Sequence, residues 1–189
     1  MADLTGNFVS RAGDKLNFAL DHFSIDVKNL VCCDLGSSTG GFVDCLLKRG
    51  AKKVYAIDTA YGELNWSLRN NNRVVVMERT NALYVSLTEK LDFICIDLGW
   101  TPQKMVLPKA KEMLKENGVI ISLIKPHYEA DKSFLRGGKV LEEKLPEVLD
   151  KVKSEIIYLG LNLKEIIESP IEGKKGKNKE FLALIGFGS

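Results

Sequence analysis

From about residue 30 onward, short β-branched or apolar runs alternate with stretches whose apolar residues recur every three or four positions. Runs of the first kind suit strands and those of the second suit amphipathic helices; their alternation favours βαβ units and a mainly parallel sheet. The pattern predicts seven strands, at 30–35, 53–58, 73–77, 91–97, 118–124, 161–168 and 180–187. Between them it predicts helices at 40–49, 62–70, 103–117 and 145–159, the third carrying Val106, Ala110, Met113 and Leu114 on one face. Pro146 suits the first turn of the last of these helices, and Gly118 reads as the stop of the helix before it. A further helix at 10–23 precedes the first strand and offers Leu16, Phe18, Leu20 and Phe23 for packing on or beside the sheet. Two segments read as loops: 126–139, ending in Gly137-Gly138, and 170–179, with Pro170, Gly173, Gly176 and a dense run of lysines.

A chain of 189 residues is the size of one α/β domain, so the expectation is a single domain over 1–189. With 45% hydrophobic and 28% charged residues it has the composition of an ordinary soluble protein and gives no case for disorder. Its longest apolar runs fall far below the roughly 18 residues of a membrane span. The N-terminus lacks the basic and apolar blocks of a secretory signal, so a cytoplasmic protein is expected. Cys32, Cys33, Cys45 and Cys95 show no C-x-x-C spacing, and with only His22 and His127 beside them a metal site is not expected. Cys32, Cys33 and Cys95 fall inside apolar runs, where they read as reduced core residues. The net charge of +2 neither demands nor excludes nucleic acid, because phosphate binding depends on clustering.

The clearest candidate chemistry lies in the stretch Asp34-Leu35-Gly36-Ser37-Ser38-Thr39-Gly40-Gly41-Phe42, where a strand ends in a glycine-rich turn and a helix opens. Glycines there let backbone approach a ligand at the carboxyl edge of a sheet. The spacing is neither the dinucleotide G-x-G-x-x-G nor the G-x-x-x-x-G-K-[ST] that cradles phosphates, so hydride transfer and NTP hydrolysis lose their main warrant. Asp58 ends the next strand, 22 positions after Gly36, where it can accept both ribose hydroxyls of an adenosine.

Five blocks, in order, carry a resemblance: Val9-Ser-Arg-Ala-Gly-Asp-Lys15-Leu16, the stretch from Asp34 to Cys45, Glu78-Arg-Thr-Asn81-Ala82, Ile124-Lys125-Pro-His-Tyr-Glu129 and Asn178-Lys-Glu180-Phe-Leu182. From about residue 8 to its end the chain resembles the FtsJ-like ribose methyltransferases, and within them the haemolysin-A-type (TlyA-like) ribosomal RNA methyltransferases. The resemblance implies a Rossmann-like fold, S-adenosylmethionine as cofactor, a ribose 2'-hydroxyl of RNA as acceptor and ribosomal RNA or a ribosomal subunit as partner. It also implies a Lys-Asp-Lys-Glu tetrad at Lys15, Asp97, Lys125 and Glu180, with Lys125 taking the ribose proton and the other three positioning it and the hydroxyl. A sugar hydroxyl is a weak nucleophile, and an amine serves as base only in its neutral form, which a second cation or desolvation favours. Taken singly, Asp97 could cap a turn, Lys15 could be an exposed helix residue and Glu180 one charge in a loop; the set of four is what persuades. Asp34, Gly36, Ser37, Ser38, Thr39, Gly40, Gly41, Phe42, Asp58, Asn81 and Asp97 are the expected cofactor contacts. Glu129 could support the active-site loop or pair with a lysine, and His127 reads as a satisfied loop histidine.

The chain departs from the pattern in two places. After Asp97 it continues Leu-Gly-Trp100-Thr-Pro102 where a serine- and phenylalanine-containing turn is expected, which leaves open whether Trp100 stacks on a base or buries against the next helix. The RNA-binding domain that usually precedes the methyltransferase domain is not represented, consistent with a minimal member or a trimmed chain. RNA would then be gripped by loops: Lys132, Arg136 and Lys139 in one, Lys174, Lys175, Lys177 and Lys179 in the other. A methyltransferase for a small molecule or protein, and a noncatalytic subunit that binds S-adenosylmethionine and RNA, are the competing readings.

Overall fold

The computed structural model describes residues 8–171 and 178–187. Along the chain run α1 (Arg11–His22), β1 (Val31–Leu35), α2 (Gly41–Lys48), β2 (Lys53–Ile57), α3 (Trp66–Arg69), β3 (Val74–Met77), β4 (Leu91–Ile96) and α4 (Gln103–Met113). There follow β5 (Leu114–Ile124), α5 (Pro126–Glu129), β6 (Leu135–Arg136), β7 (Lys139–Val140), α6 (Leu145–Tyr158), β8 (Leu161–Glu168) and β9 (Phe181–Phe187). Seven strands make one sheet in the order β3-β2-β1-β4-β5-β9-β8. The first five are mutually parallel, and β9 runs antiparallel to both of its neighbours. This is the expected seven-stranded, mostly parallel sheet. Among the described residues no helix is long and apolar enough to cross a membrane.

Strand residues alternate between two cores, as the two-residue period of a strand requires. Cys33, Leu35, Ile57, Ile94, Ile96 and Ile120 share one core with Val106, Leu107 and Ala110 of α4 and Val152 and Ile156 of α6. Cys32, Val54, Ala56, Phe93, Cys95 and Ile121 share the other with Leu16, Ala19 and Leu20 of α1 and Phe42, Val43 and Leu46 of α2. Helices therefore cover both faces, and all four cysteines are buried free thiols within the layers. Burial pushes the Cys45 thiol up to about 12, the chemistry of a core residue.

Four boundaries differ from the sequence reading. The helix expected over 103–117 ends at Met113, and β5 begins at Leu114, four residues before the predicted strand start. Leu114 is an apolar position that packs in the core from an extended backbone. The register on β4 then jumps from Leu91↔Leu114 to Phe93↔Val119, so Gly118, read as a helix stop, lies within a bulged strand. The helix expected over 62–70 shrinks to Trp66–Arg69, because Gly62 sits at φ +78° and Asn65 caps the turn by accepting from the Ser67 amide. The loop expected over 126–139 holds α5 and a hairpin of β6 and β7, turning on Gly137 and Gly138, both at positive φ.

Candidate active site

The strand order reverses between β1 and β4, and the crevice beyond the carboxyl ends of such strands is where open α/β sheets bind ligands. Gly36 leaves β1 at φ +96°, and a Cβ there would lie 2.5 Å from the Asp97 carbonyl oxygen; only glycine lets the two strand ends close on each other. Across the turn, α1 and α2 meet glycine on glycine. A Cβ on Gly41 would fall 2.2 Å from the Ser10 hydroxyl, and one on Gly13 2.8 Å from the Gly41 carbonyl. That approach carries Lys15, one half-turn along α1, over the crevice.

Two adjoining cavities occupy it. The first, about 300 Å³, is lined by Lys15, Asp34, Gly36–Thr39, Gly41, Phe42, Asp97, Lys125 and Glu180 together with Ser10, Arg11 and Ala12. The second, about 290 Å³, shares Gly36, Ser38 and Asp97 with the first and adds Asp58, Asn81, Ala82, Leu83 and Leu98. All four expected tetrad residues thus meet in one chamber, and every expected cofactor contact but one lines a cavity. The exception is Gly40, which turns to Leu64 and Leu68, so its role is to pack the turn. Sequence reasoning missed Ser10, Arg11 and Ala12, although their place at the start of a helix that already carried Lys15 was a signal.

The tetrad is arranged as two ion pairs. Lys15 donates to Glu180, with side chains only 10% and 5% exposed, joining α1 to the start of β9. Lys125 lies 2.5 Å from Asp97 Oδ1 and donates to the Leu98 carbonyl at 3.2 Å. The expected influence of one lysine on the other is therefore accompanied by a carboxylate at each.

Asp34 is 1% exposed, and neither of its oxygens has a hydrogen-bond partner among the described residues. Burial, and then the charge of Asp97, push its carboxyl well above the usual carboxylate range; the nearby Cys95 thiol and Val43 amide offset only part of this. A buried carboxyl group facing a cavity without a partner calls for a ligand that is cationic or donates hydrogen bonds. Asp58 is differently placed: its oxygens accept from the Ser38 and Ala60 amides, each at 2.8 Å, which fixes its orientation and leaves a lone pair on each. Asn81 Oδ1 accepts from the Leu83 amide and shapes the wall of the second cavity.

Trp100 does not bury. It is 85% exposed at φ +61°, with its ring 5.0 Å from that of Tyr128, which in turn lies 6.0 Å from Lys125 Nζ. His127 departs from the sequence reading, because its buried Nδ1 has no hydrogen-bond partner among the described residues; desolvation and Lys125 lower its pKa. Among the described residues the Glu129 carboxylate holds no lysine in an ion pair. It accepts from the Gln103 amide at 2.9 Å, while Lys151 donates to the Glu129 backbone carbonyl.

Of the two basic loops, Lys132, Arg136, Lys139 and Lys179 are exposed, and Lys174, Lys175 and Lys177 lie outside the described residues. The Asn178 amide donates to the Gly138 carbonyl at 3.3 Å, and Lys139 and Lys179 flank one cavity of about 210 Å³ with His127. The described end of the second loop, Asn178 and Lys179, thus meets the first beside Lys125 and Glu180.

The FtsJ-like methyltransferase family matches residues 8–187. The chain belongs to that family. It is 40% identical over 182 residues to "Hemolysin A" of Brachyspira hyodysenteriae, covering 93% of this chain and 75% of that protein. It is 37% identical over 184 residues to the "16S/23S rRNA (cytidine-2'-O)-methyltransferase TlyA" of Mycobacterium tuberculosis, covering 94% and 68%. A solved structure described as a hemolysin from Streptococcus thermophilus superposes with a TM-score of 0.94 at 35% identity, covering all of this chain and 70% of that one. The FtsJ-like chain is thus an S-adenosylmethionine-dependent methyltransferase, and its crevice fits that cofactor on its own terms: a close-approach glycine turn, an oriented carboxylate in one cavity and an unpartnered carboxyl in the other.

Proposed function

We propose that this FtsJ-like enzyme methylates a ribose 2'-hydroxyl of ribosomal RNA, acting in the cytoplasm as one methyltransferase domain over 1–189. The observation that carries the reading is the pair of lysine–carboxylate contacts at one chamber beside the glycine turn. The activity for which the Mycobacterium tuberculosis relative is named supports the choice of RNA and of the 2'-oxygen.

S-adenosylmethionine supplies, when bound, an electrophilic methyl group on a sulfonium. Asp58 would accept the hydroxyls of its ribose through the free lone pairs, and Asn81, Ala82 and Leu83 would hold the base. Asp34 would face its cationic part, and Ser37, Ser38 and Thr39 would hold the portion between the two. Lys15, Asp97 and Glu180 hold the acceptor ribose for an in-line approach of its oxygen. Lys125 would act as the base in its amine form: its two N–H bonds go to Asp97 and the Leu98 carbonyl, and its lone pair would take the 2'-hydroxyl proton while the oxygen gains the methyl carbon and the carbon–sulfur bond breaks, its electron pair leaving with sulfur as a neutral thioether. Tyr128 offers an aromatic face beside that nitrogen, and the exposed Trp100 ring lies against Tyr128. Lys132, Arg136, Lys139 and Lys179 contact phosphates, so RNA affinity falls steeply with salt.

Transfer from radiolabelled S-adenosylmethionine to unmodified ribosomal RNA or subunits tests this directly. Label is expected in alkali-resistant dinucleotides, because a methylated 2'-oxygen cannot attack the neighbouring phosphate. Label in mononucleotides would move the methyl group to a base, and unlabelled RNA despite cofactor binding would favour the noncatalytic subunit. Replacing Asp58 with alanine should weaken S-adenosylmethionine binding by about 10–100-fold, the scale of one or two hydrogen bonds to a charged acceptor. Titration calorimetry measures it; an unchanged Kd would place the ribose contact elsewhere.

A further inference from the structure

We infer that Glu129 is a positioning residue for methyl transfer, whose ionised side chain holds the helix that begins at Lys125 against the helix that follows Asp97. The inference rests on the proposed role of Lys125. Two segments reach the chamber at one end each: Asp97, which leads through Pro102 into α4, and Lys125, which leads into α5. They touch at the catalytic end through Lys125, Asp97 and the Leu98 carbonyl. Glu129 supplies a second tie 26 residues along the chain from Gln103. Its carboxylate accepts from the first amide of α4, a helix whose N-cap is Pro102 and has no side-chain cap of its own. The Gln103 side chain is in turn fixed by Ser122 of β5, whose hydroxyl donates to Gln103 Oε1 at 2.6 Å. With this tie released, the segment from Leu98 to Pro102 would be held at its far end by the Gln103 side chain and the Trp100–Tyr128 ring contact, without a bond that fixes the first amide of α4.

Glu129 is 5% exposed, and burial pushes its carboxyl up to about 7, with Glu155 raising it further and the Gln103 amide, Lys151 and Lys104 opposing. The charged groups around it are Lys104 on α4, Lys151 and Glu155 on α6, and His127 and Lys125 next to or on its own short helix. As pH rises through about 7 the tie becomes a charge-assisted hydrogen bond at a helix N-terminus, which is stronger and shorter. The sign for folding is opposite. A carboxyl that holds its proton more tightly when folded contributes stability that is full below about 4.5 and is lost as pH rises through about 7.

Glu129→Gln separates the two effects, because glutamine accepts the same amide but never ionises. The variant should melt higher than the parent at pH 8.5 and alike at pH 5, yet transfer methyl groups about tenfold more slowly at pH 8.5 with an unchanged Kd for S-adenosylmethionine. Glu129→Ala should lose rate at every pH. In a Trp66→Phe background Trp100 is the remaining tryptophan, on the tethered loop, and its iodide quenching should titrate near pH 7 in the parent and stay flat in Glu129→Gln. Quenching that still titrates in Glu129→Gln would assign the transition to His127 and overturn the inference, as would a parental rate in Glu129→Gln at pH 8.5. If the parent transfers no methyl group to RNA, the proposed reaction fails while the Trp100 titration still decides the tie.

Discussion

Lys125→Ala is expected to lower the single-turnover rate of RNA methylation by about 10²–10⁴-fold, the usual contribution of a positioned base, while leaving S-adenosylmethionine affinity within a few-fold. The asymmetry follows from position. Lys125 closes β5 in the chamber shared with Lys15 and Glu180, whereas the second cavity, with Asp58 and Asn81, does not include it. The informative companion is Lys125→Arg. Arginine keeps the charge and can still reach a carboxylate, but a guanidinium does not deprotonate in proteins. If the nitrogen must accept a proton, Lys125→Arg will be as slow as Lys125→Ala. A rate above a tenth of the parent's would mean that Lys125 acts as a fixed positive charge and that the proton leaves by another route. Rapid-quench measurements at saturating RNA keep binding losses out of the comparison, and titration calorimetry reads the cofactor separately.

The sheet was legible because its strands are short, buried and β-branched, so that their periodicity and their burial say the same thing. All seven main-sheet strands fall within a few residues of their expected bounds, and the glycine turn after β1 announced the crevice. The misreadings have a common cause: local signals with two physical uses. Leu114 continues the apolar stripe of α4 and also suits the core as an extended residue, and packing against Leu91 decided for the strand. Gly137 and Gly138 announce a turn, but no local signal shows whether the flanking residues pair. In the site, the tetrad needed the resemblance, because neither Lys15 nor Glu180 carries a distinguishing local pattern; they are 165 residues apart and meet only through folding. Support of the active-site loop was one of the two readings of Glu129, but its partner was invisible for a different reason: that partner is a backbone amide, and every residue type but proline offers one.

The Lys15–Glu180 contact should show the second large effect, on stability. With both side chains almost wholly buried, Lys15→Met leaves the Glu180 carboxylate without its partner, and breaking a buried pair from one side costs about 3–5 kcal/mol. For a chain of this size that corresponds to a fall in Tm of roughly 6–20 °C, at about 2–4 °C per kcal/mol. Replacing both partners, Lys15→Met with Glu180→Leu, should bring stability back to within about 1 kcal/mol of the parent, because an apolar pair of similar volume avoids desolvating two charges. Turnover should not return. A contact that exists to hold α1 to β9 would be replaceable by apolar packing, whereas one that also orients a ribose hydroxyl would not. Urea denaturation of the four members of the cycle gives the coupling energy, and methyl transfer by the double variant decides whether the pair serves the reaction. If the double variant methylates RNA at the parental rate, the pair is a structural clasp and the chemistry falls to Lys125 and Asp97 alone. A stable, cofactor-binding and inactive double variant would show that the enzyme keeps two buried charges, at no gain in stability, for the reaction they serve.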